Sequence, residues 1–168
     1  GGYNQVVTIT YKGKTVDLQV KVKFLQNIEI ANDTTNKTKY KVGETFNPVG
    51  LKLKLNYSDS TSDTVTYSAS NASGFTFEPS GALAKTNTSV KIKYAEKEVN
   101  QTIEVIELKS ISIKASPSKI NYSTGETFNP AGLKLELTYS DDTTKEEVEY
   151  NNTTKADFSF SPTTISVS

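Results

Sequence analysis

Strict alternation of apolar and polar residues marks the start of the chain. Val7, Ile9 and Tyr11 alternate with Thr8 and Thr10, then Lys12-Gly13-Lys14 intervenes, and Val16, Leu18, Val20 and Val22 alternate with Asp17, Gln19 and Lys21. A period of two on both sides of a short glycine turn predicts a β-hairpin with one apolar face. Two strands have nothing of their own to bury that face against, so the hairpin needs a partner surface.

The alternation continues in shorter pieces. Leu25, Ile28 and Ile30 predict a strand, a polar loop runs from Asn32 to Lys39, and Tyr40 and Val42 lead into Gly43-Glu44-Thr45-Phe46-Asn47-Pro48-Val49-Gly50. Pro48 forbids helix, the glycines permit tight turns, and Leu51, Leu53, Leu55 and Tyr57 then place large side chains on one strand face. Val65 and Tyr67 mark the next strand, and Phe75 and Phe77 another, which Pro79-Ser80-Gly81 ends. Val90, Ile92 and Tyr94, a turn at Ala95-Glu96-Lys97, and then Val99, Ile103 and Val105 predict a second hairpin. Helix is expected to reach no more than a turn.

Much of this pattern occurs twice. The stretch from Gly43 to Asp59 returns from Gly125 to Asp141 at an offset of 82 residues. Around it Ile111 and Ile113 answer Ile28 and Ile30, and Val148, Tyr150, Phe158 and Phe160 answer Val65, Tyr67, Phe75 and Phe77. The first hairpin matches the second in register: Val7 with Val90, Ile9 with Ile92, Tyr11 with Tyr94, Val16 with Val99, Val20 with Ile103 and Val22 with Val105, all at an offset of 83. A repeat of this length predicts small tandem domains, and several short strands per repeat with frequent turns predict β-sandwiches. By phase, residues 1–23 are the closing hairpin of a preceding repeat, 24–107 a complete repeat, and 108–168 a body lacking its last two strands, with Ser168 in phase with Lys85.

The pattern Tyr-x-x-Gly-Glu-x-Phe-Asn-Pro-x-Gly-Leu-x-Leu-x-Leu-x-Tyr-Ser-Asp at residues 40–59 and 122–141, with a Val-x-Tyr strand and a closing hairpin, resembles the bacterial immunoglobulin-like domain of group 3. Residues 7–22 look like that family's last two strands. The resemblance implies an all-β protein of tandem immunoglobulin-like β-sandwiches, and a role as spacer or adhesion module in surface proteins, S-layer proteins or cell-wall-attached enzymes. It brings no catalytic motif.

Composition narrows the function classes. The 168 residues hold 19 lysines and no arginine against 19 acidic residues, for a formal net charge of zero. Nucleic-acid binding needs a basic surplus, usually with arginine for bidentate phosphate contacts, so that partner class is set aside. With no Cys and no His, there is no disulfide framework, thiolate or imidazole metal site, or imidazole-activated nucleophile. No enzymatic activity, cofactor or metal is expected. No run of about 18 apolar residues predicts membrane insertion, and the first residues lack a signal-peptide plan. An exposed polar β-protein without sulfur residues fits the outside of a bacterial cell.

Candidate chemistry is sparse. Ser58-Asp59-Ser60 and Ser140-Asp141-Asp142 offer oxygens to calcium, but a hard cation wants six to eight, and such acids more commonly form turns. Glu44 and Glu126 lack the partner carboxylate that acid–base catalysis needs and are expected to cap turn amides. Tyr11, Tyr40, Tyr57, Tyr67, Phe75, Phe77 and Tyr94 could stack on sugars, yet most sit at strand spacing and are expected in the core.

The mismatched ends of the repeat carry the functional expectation. A body without its closing hairpin would leave Leu133, Leu135, Leu137, Val148, Phe158 and Phe160 wet, at about 1.5 to 3 kcal/mol per large side chain, while Val7, Ile9, Tyr11, Val16, Leu18, Val20 and Val22 form an unused apolar ribbon. A repeat of roughly 35 to 45 Å would separate the two within one chain. The expectation is a stalk, S-layer or filament subunit at the bacterial cell surface, its copies or neighbouring repeats joined head to tail by strand donation. Short junctions at Lys23-Phe24 and Glu107-Leu108 would favour an extended rod, with Leu25–Ile30 and Glu98–Ile106 as terminal strands loaded in shear. The alternatives are an adhesion module binding cell-wall or host glycans through the loops at 32–39 and 68–73, and an accessory domain of a secreted polysaccharide-degrading enzyme.

Overall fold

The computed structural model describes residues 3–166. Gly1, Gly2, Val167 and Ser168, at the outer limits of the first and third predicted domains, lie outside the described residues. The chain forms two compact units, residues 1–105 and 106–168. Among the described residues almost all regular structure is β, with two single 3₁₀ turns at Ala72–Gly74 and Lys155–Asp157. Among the described residues no helix is long and apolar enough to cross a membrane.

In the first unit, β1 (Tyr3–Tyr11) and β2 (Lys14–Val22) pair antiparallel in unbroken register from Tyr3↔Val22 to Tyr11↔Lys14. The connection is two residues, Lys12 and Gly13, at φ 44° and 74°. Positive φ at both central residues gives the turn a twist that matches the flanking strands. The rest of the unit has two three-stranded sheets. One orders β3 (Leu25–Ile30), β5 (Lys52–Tyr57) and β6 (Ser62–Thr66), and the other β7 (Phe75–Glu78), β8 (Ser89–Tyr94) and β9 (Lys97–Thr102). A short ladder joins β4 (Lys39–Lys41) to β10 (Glu104–Ile106). The β8–β9 turn, Ala95-Glu96 at φ 47° and 61°, repeats the geometry of the first hairpin without a glycine.

Period-two alternation turns one row of each sheet inward. Ile28 from β3, Leu53 and Leu55 from β5, Phe75 from β7, and Val90 and Ile92 from β8 meet in one core with Tyr40, Leu51, Leu83, Ile103 and Val105. Burial of each large apolar side chain is worth about 1.5 to 3 kcal/mol.

Pro48 and Gly50 turn the chain into β5. Leu51 N–H donates to Pro48 O, and Gly50 has φ +89° with the position of a Cβ only 2.7 Å from Thr35 Oγ1 and 3.0 Å from Asn36 N. Only glycine fits there. Beside this turn the buried Tyr40 hydroxyl donates to Lys37 O at 2.7 Å and accepts from Asn47 N–H at 3.1 Å.

One expected feature is corrected. Leu25–Ile30 and Glu98–Ile106 are not hydrogen-bonded to one another: β3 bonds to β5, while the second segment divides into β9, bonded to β8, and β10, bonded to β4. Tension on those ends would therefore not load one shared ladder.

The second unit orders β11 (Leu108–Ala115), β12 (Lys134–Tyr139) and β13 (Lys145–Glu149) in one antiparallel sheet. It reproduces the turn of the first unit, with Gly132 at φ +84° and the Cβ position 2.7 Å from Ser118 Oγ. An isolated bridge Thr127↔Thr164 matches Thr45↔Ala82 in the first unit.

Candidate functional site

The β1–β2 ribbon keeps its apolar row uncovered. Val7, Ile9, Tyr11, Val16, Leu18 and Val22 are exposed, and Val20 is half-buried. The contrast with the second hairpin is large at equivalent positions: Val7 is 44% and Ile9 47% exposed, whereas Val90 and Ile92 are both 0%. Cross-strand pairing explains how the row is built. Val7 faces Leu18 and Ile9 faces Val16, as Val90 faces Gln101 and Ile92 faces Val99. Residues paired in this way share a sheet face.

The second unit carries an open apolar groove. Leu133, Leu135, Leu137, Val148, Phe158 and Phe160 all line one groove of ≈ 680 Å³, joined by Leu108, Ile111, Ile113 and Phe128. Of the six predicted positions only Leu133 is buried, and the other five are half-buried. Ile111 is 58% exposed although Ile28, its counterpart at an offset of 83, is 4% exposed. Phe128 was not singled out as a groove residue from sequence; its position matches Phe46, which packs on the first unit's core. Phe128 lies 5.0 Å from Phe160 between ring centroids, as Phe46 lies 5.2 Å from Phe77.

The first unit shows what normally occupies such a groove. There β8 lies along β7, pairing Phe75↔Tyr94, Thr76↔Lys93, Phe77↔Ile92 and Glu78↔Lys91, and Val90 and Ile92 drop into the core. The equivalent of β7, residues 158–161, is not a strand, and neither is the segment 121–123 that corresponds to β4. A strand needs a neighbour to satisfy its amides and carbonyls. In the first unit β8 and β10 are those neighbours.

Polar groups elsewhere stabilise turns. Glu44 accepts from Lys41 N–H and binds Lys37 Nζ, both at 2.7 Å; Glu126 accepts from Ser123 N–H at 2.8 Å and binds Lys119 Nζ at 2.9 Å. The lysine ammonium first, and the turn amide second, hold each carboxyl below the usual glutamate range. Asp59 accepts from the Thr61 hydroxyl and amide, which lower its pKa in that order, and Asp141 accepts from Thr143 and Thr144. Among the described residues no group of three or more Asp, Glu, His or Cys side chains converges on a point where a metal ion could sit. The ring of Phe75 packs on Tyr67 and Tyr94 at 5.3 and 4.7 Å between centroids, and Tyr40, Tyr57 and Phe77 also belong to or pack against the core. Tyr11, at 72% exposure, stands apart from them. In the loop at 68–73, Asn71 accepts from Ser68 N–H and donates to Thr66 O, so its amide is used within the loop.

Comparison with known proteins adds three findings. A family model described as bacterial Ig-like domain (group 3) matches residues 33–105. The chain is 31% identical over 130 residues to a protein named pectate lyase L from Thermoclostridium stercorarium, an overlap of 76% of this chain and 10% of that protein. It thus spans about a tenth of that relative's length. A solution structure assigned provisionally to a surface protein matches 54% of this chain and 96% of its own at 17% identity, with a TM-score of 0.26, at which a likeness carries no argument.

Proposed function

Because residues 33–105 belong to the bacterial Ig-like domain family of group 3, we propose that the chain is a non-enzymatic structural module of a bacterial surface protein, whose copies join head to tail. The β1–β2 ribbon of one copy lies in the groove of the second unit of the next. One observation carries the reading: β8–β9 fills in the first unit the space that is open in the second, and β1–β2 repeats the inward row of β8–β9 at nearly every position.

The interaction is strand addition with side-chain pockets. Main-chain bonds to the free edge at 158–161 would supply affinity, and the alternate side chains of the ribbon would fill the apolar floor. Because donor and acceptor are different surfaces, the contact is heterologous and propagates as an open filament. Sedimentation velocity of the 168-residue chain over a wide concentration range is the test. A concentration-dependent series of oligomers is expected, and a single monomeric species at every concentration refutes the reading.

The likeness to the protein named pectate lyase L favours a second reading, an accessory region of a secreted polysaccharide-degrading enzyme. Affinity electrophoresis in gels with and without pectate separates the two. Retardation by the polysaccharide supports the accessory reading, and unchanged mobility supports the structural one.

A further inference from the structure

Two amide side chains are buried against each other in the first unit. Asn36 Nδ2 donates to Gln101 Oε1 at 3.0 Å, and Gln101 Nε2 donates to Asn36 Oδ1 at 2.9 Å. Both residues are buried. Gln101 sits opposite Val90 on the inward face of β8–β9, so this reciprocal pair ties the closing hairpin to the loop ahead of β4.

Neither half of the pair recurs in the other hairpin or the other body. At the offset of 83, Gln101 corresponds to Leu18, which sits opposite Val7. In the second unit the loop is one residue shorter at this point. Ser118 takes the place of Thr35 against the turn glycine. Lys119 takes the place of Lys37, both in its ion pair with the turn glutamate and in accepting a hydrogen bond from the tyrosine hydroxyl. Asn36 stands between residues 35 and 37, and nothing stands between Ser118 and Lys119.

We infer that the Asn36–Gln101 pair decides which hairpin each body accepts. Resting on the head-to-tail reading above, a glutamine hairpin matches a body with the asparagine, and the Leu18 ribbon matches the body without it. Set into the first unit, the ribbon would remove both hydrogen bonds that Gln101 makes to the buried Asn36 amide, leaving it only the longer bonds, each 3.3 Å, from Thr34 Oγ1 and to Lys37 O. A glutamine hairpin set into the second unit would strand its own amide in an apolar floor. An unsatisfied buried amide weakens such a complex by on the order of tenfold to a hundredfold. The ribbon is thereby steered to the second unit of another copy and away from displacing β8–β9.

Register makes this testable. Thr76 pairs with Lys93 in the first unit, so the same offset sets Thr10 of the ribbon against Ser159. The chain has no cysteine, and Thr10→Cys with Ser159→Cys therefore introduces the only thiols. Facing strand residues meet the Cα spacing a disulfide needs. Oxidation is expected to produce an interchain ladder. Association is then measured by sedimentation velocity on 168-residue chains carrying native Thr10 and Ser159. Leu18→Gln is expected to weaken it tenfold or more, Leu18→Met to change it by no more than about threefold, and an asparagine inserted between Ser118 and Lys119 to restore the Leu18→Gln chain. Equal affinity for native and Leu18→Gln chains, or equal loss for Leu18→Gln and Leu18→Met, overturns the inference while a crosslinked ladder leaves head-to-tail joining intact. Failure of the insertion to restore affinity in a chain with an unchanged thermal transition does the same. If the native chain neither associates nor crosslinks, both readings fall together.

Discussion

Val6 and Ile9 give a controlled test of the ribbon's role, because the two side chains are equally exposed, at 47% each, and differ in the face they occupy. Ile9 corresponds to Ile92, which is fully buried, and Val6 corresponds to Ser89, which pairs with Thr102 on the other side of β8–β9. Ile9→Ala should leave each unit folded, since the residue is half wet in the free chain. In a joined pair it would go to full burial, so truncation removes about half the transfer free energy of an isoleucine together with the cavity left behind. That sums to roughly 1 to 3 kcal/mol, about fivefold to about a hundredfold in dissociation constant. Val6→Ala removes atoms from the outer face and should change association by less than about twofold. The assay is sedimentation velocity of native, Val6→Ala and Ile9→Ala chains over the same concentrations, with thermal unfolding as the control for fold. Equal effects of the two substitutions, or undiminished association of Ile9→Ala, would refute the reasoning, because exposure alone and not face would then govern the ribbon.

Three further outcomes follow from the turns. Gly50→Ala places a Cβ 2.7 Å from Thr35 Oγ1 at a φ of +89° and should destabilise the first unit by about 1 to 3 kcal/mol, read from the midpoint of urea unfolding. Tyr40→Phe removes one donor and one acceptor from a buried site and should cost about 1 to 3 kcal/mol in the same assay, whereas Tyr122→Phe at the half-buried equivalent should cost less. For Glu44 the pH sign is fixed by its depressed pKa: its contribution is complete above the usual glutamate value of 4.5 and fades as pH falls through the lower folded value. The drop in unfolding midpoint between about pH 6 and about pH 3 should therefore be smaller in Glu44→Gln than in the native chain; an equal drop would show that this carboxylate is not linked to folding.

The sequence alone determined which residues share a face, because period two in a strand leaves no choice about that. The inward rows at Leu51, Leu53 and Leu55 and at Val90 and Ile92, and the uncovered row at Val7 and Ile9, follow from alternation, and the apolar floor from Leu133 to Leu137 follows from the repeat. That the glycines permit tight turns and that Glu44 and Glu126 cap turn amides was also legible, since both are local; the close approach of Thr35 to Gly50 and of Ser118 to Gly132 was not, because it joins distant parts of the chain. Alternation does not say which strands pair, and there the tertiary structure decided. It split Glu98–Ile106 between β9 and β10 and gave the last three residues to β4. Residues 158–161 and 121–123 have the sequence of strands and are not strands, because regular pairing depends on an occupant across the ladder and not on the segment's own side chains. The amide pair was hidden for the same reason. Gln101 interrupts an apolar row and reads as a flaw in the pattern until Asn36, 65 residues away in the chain, is brought against it.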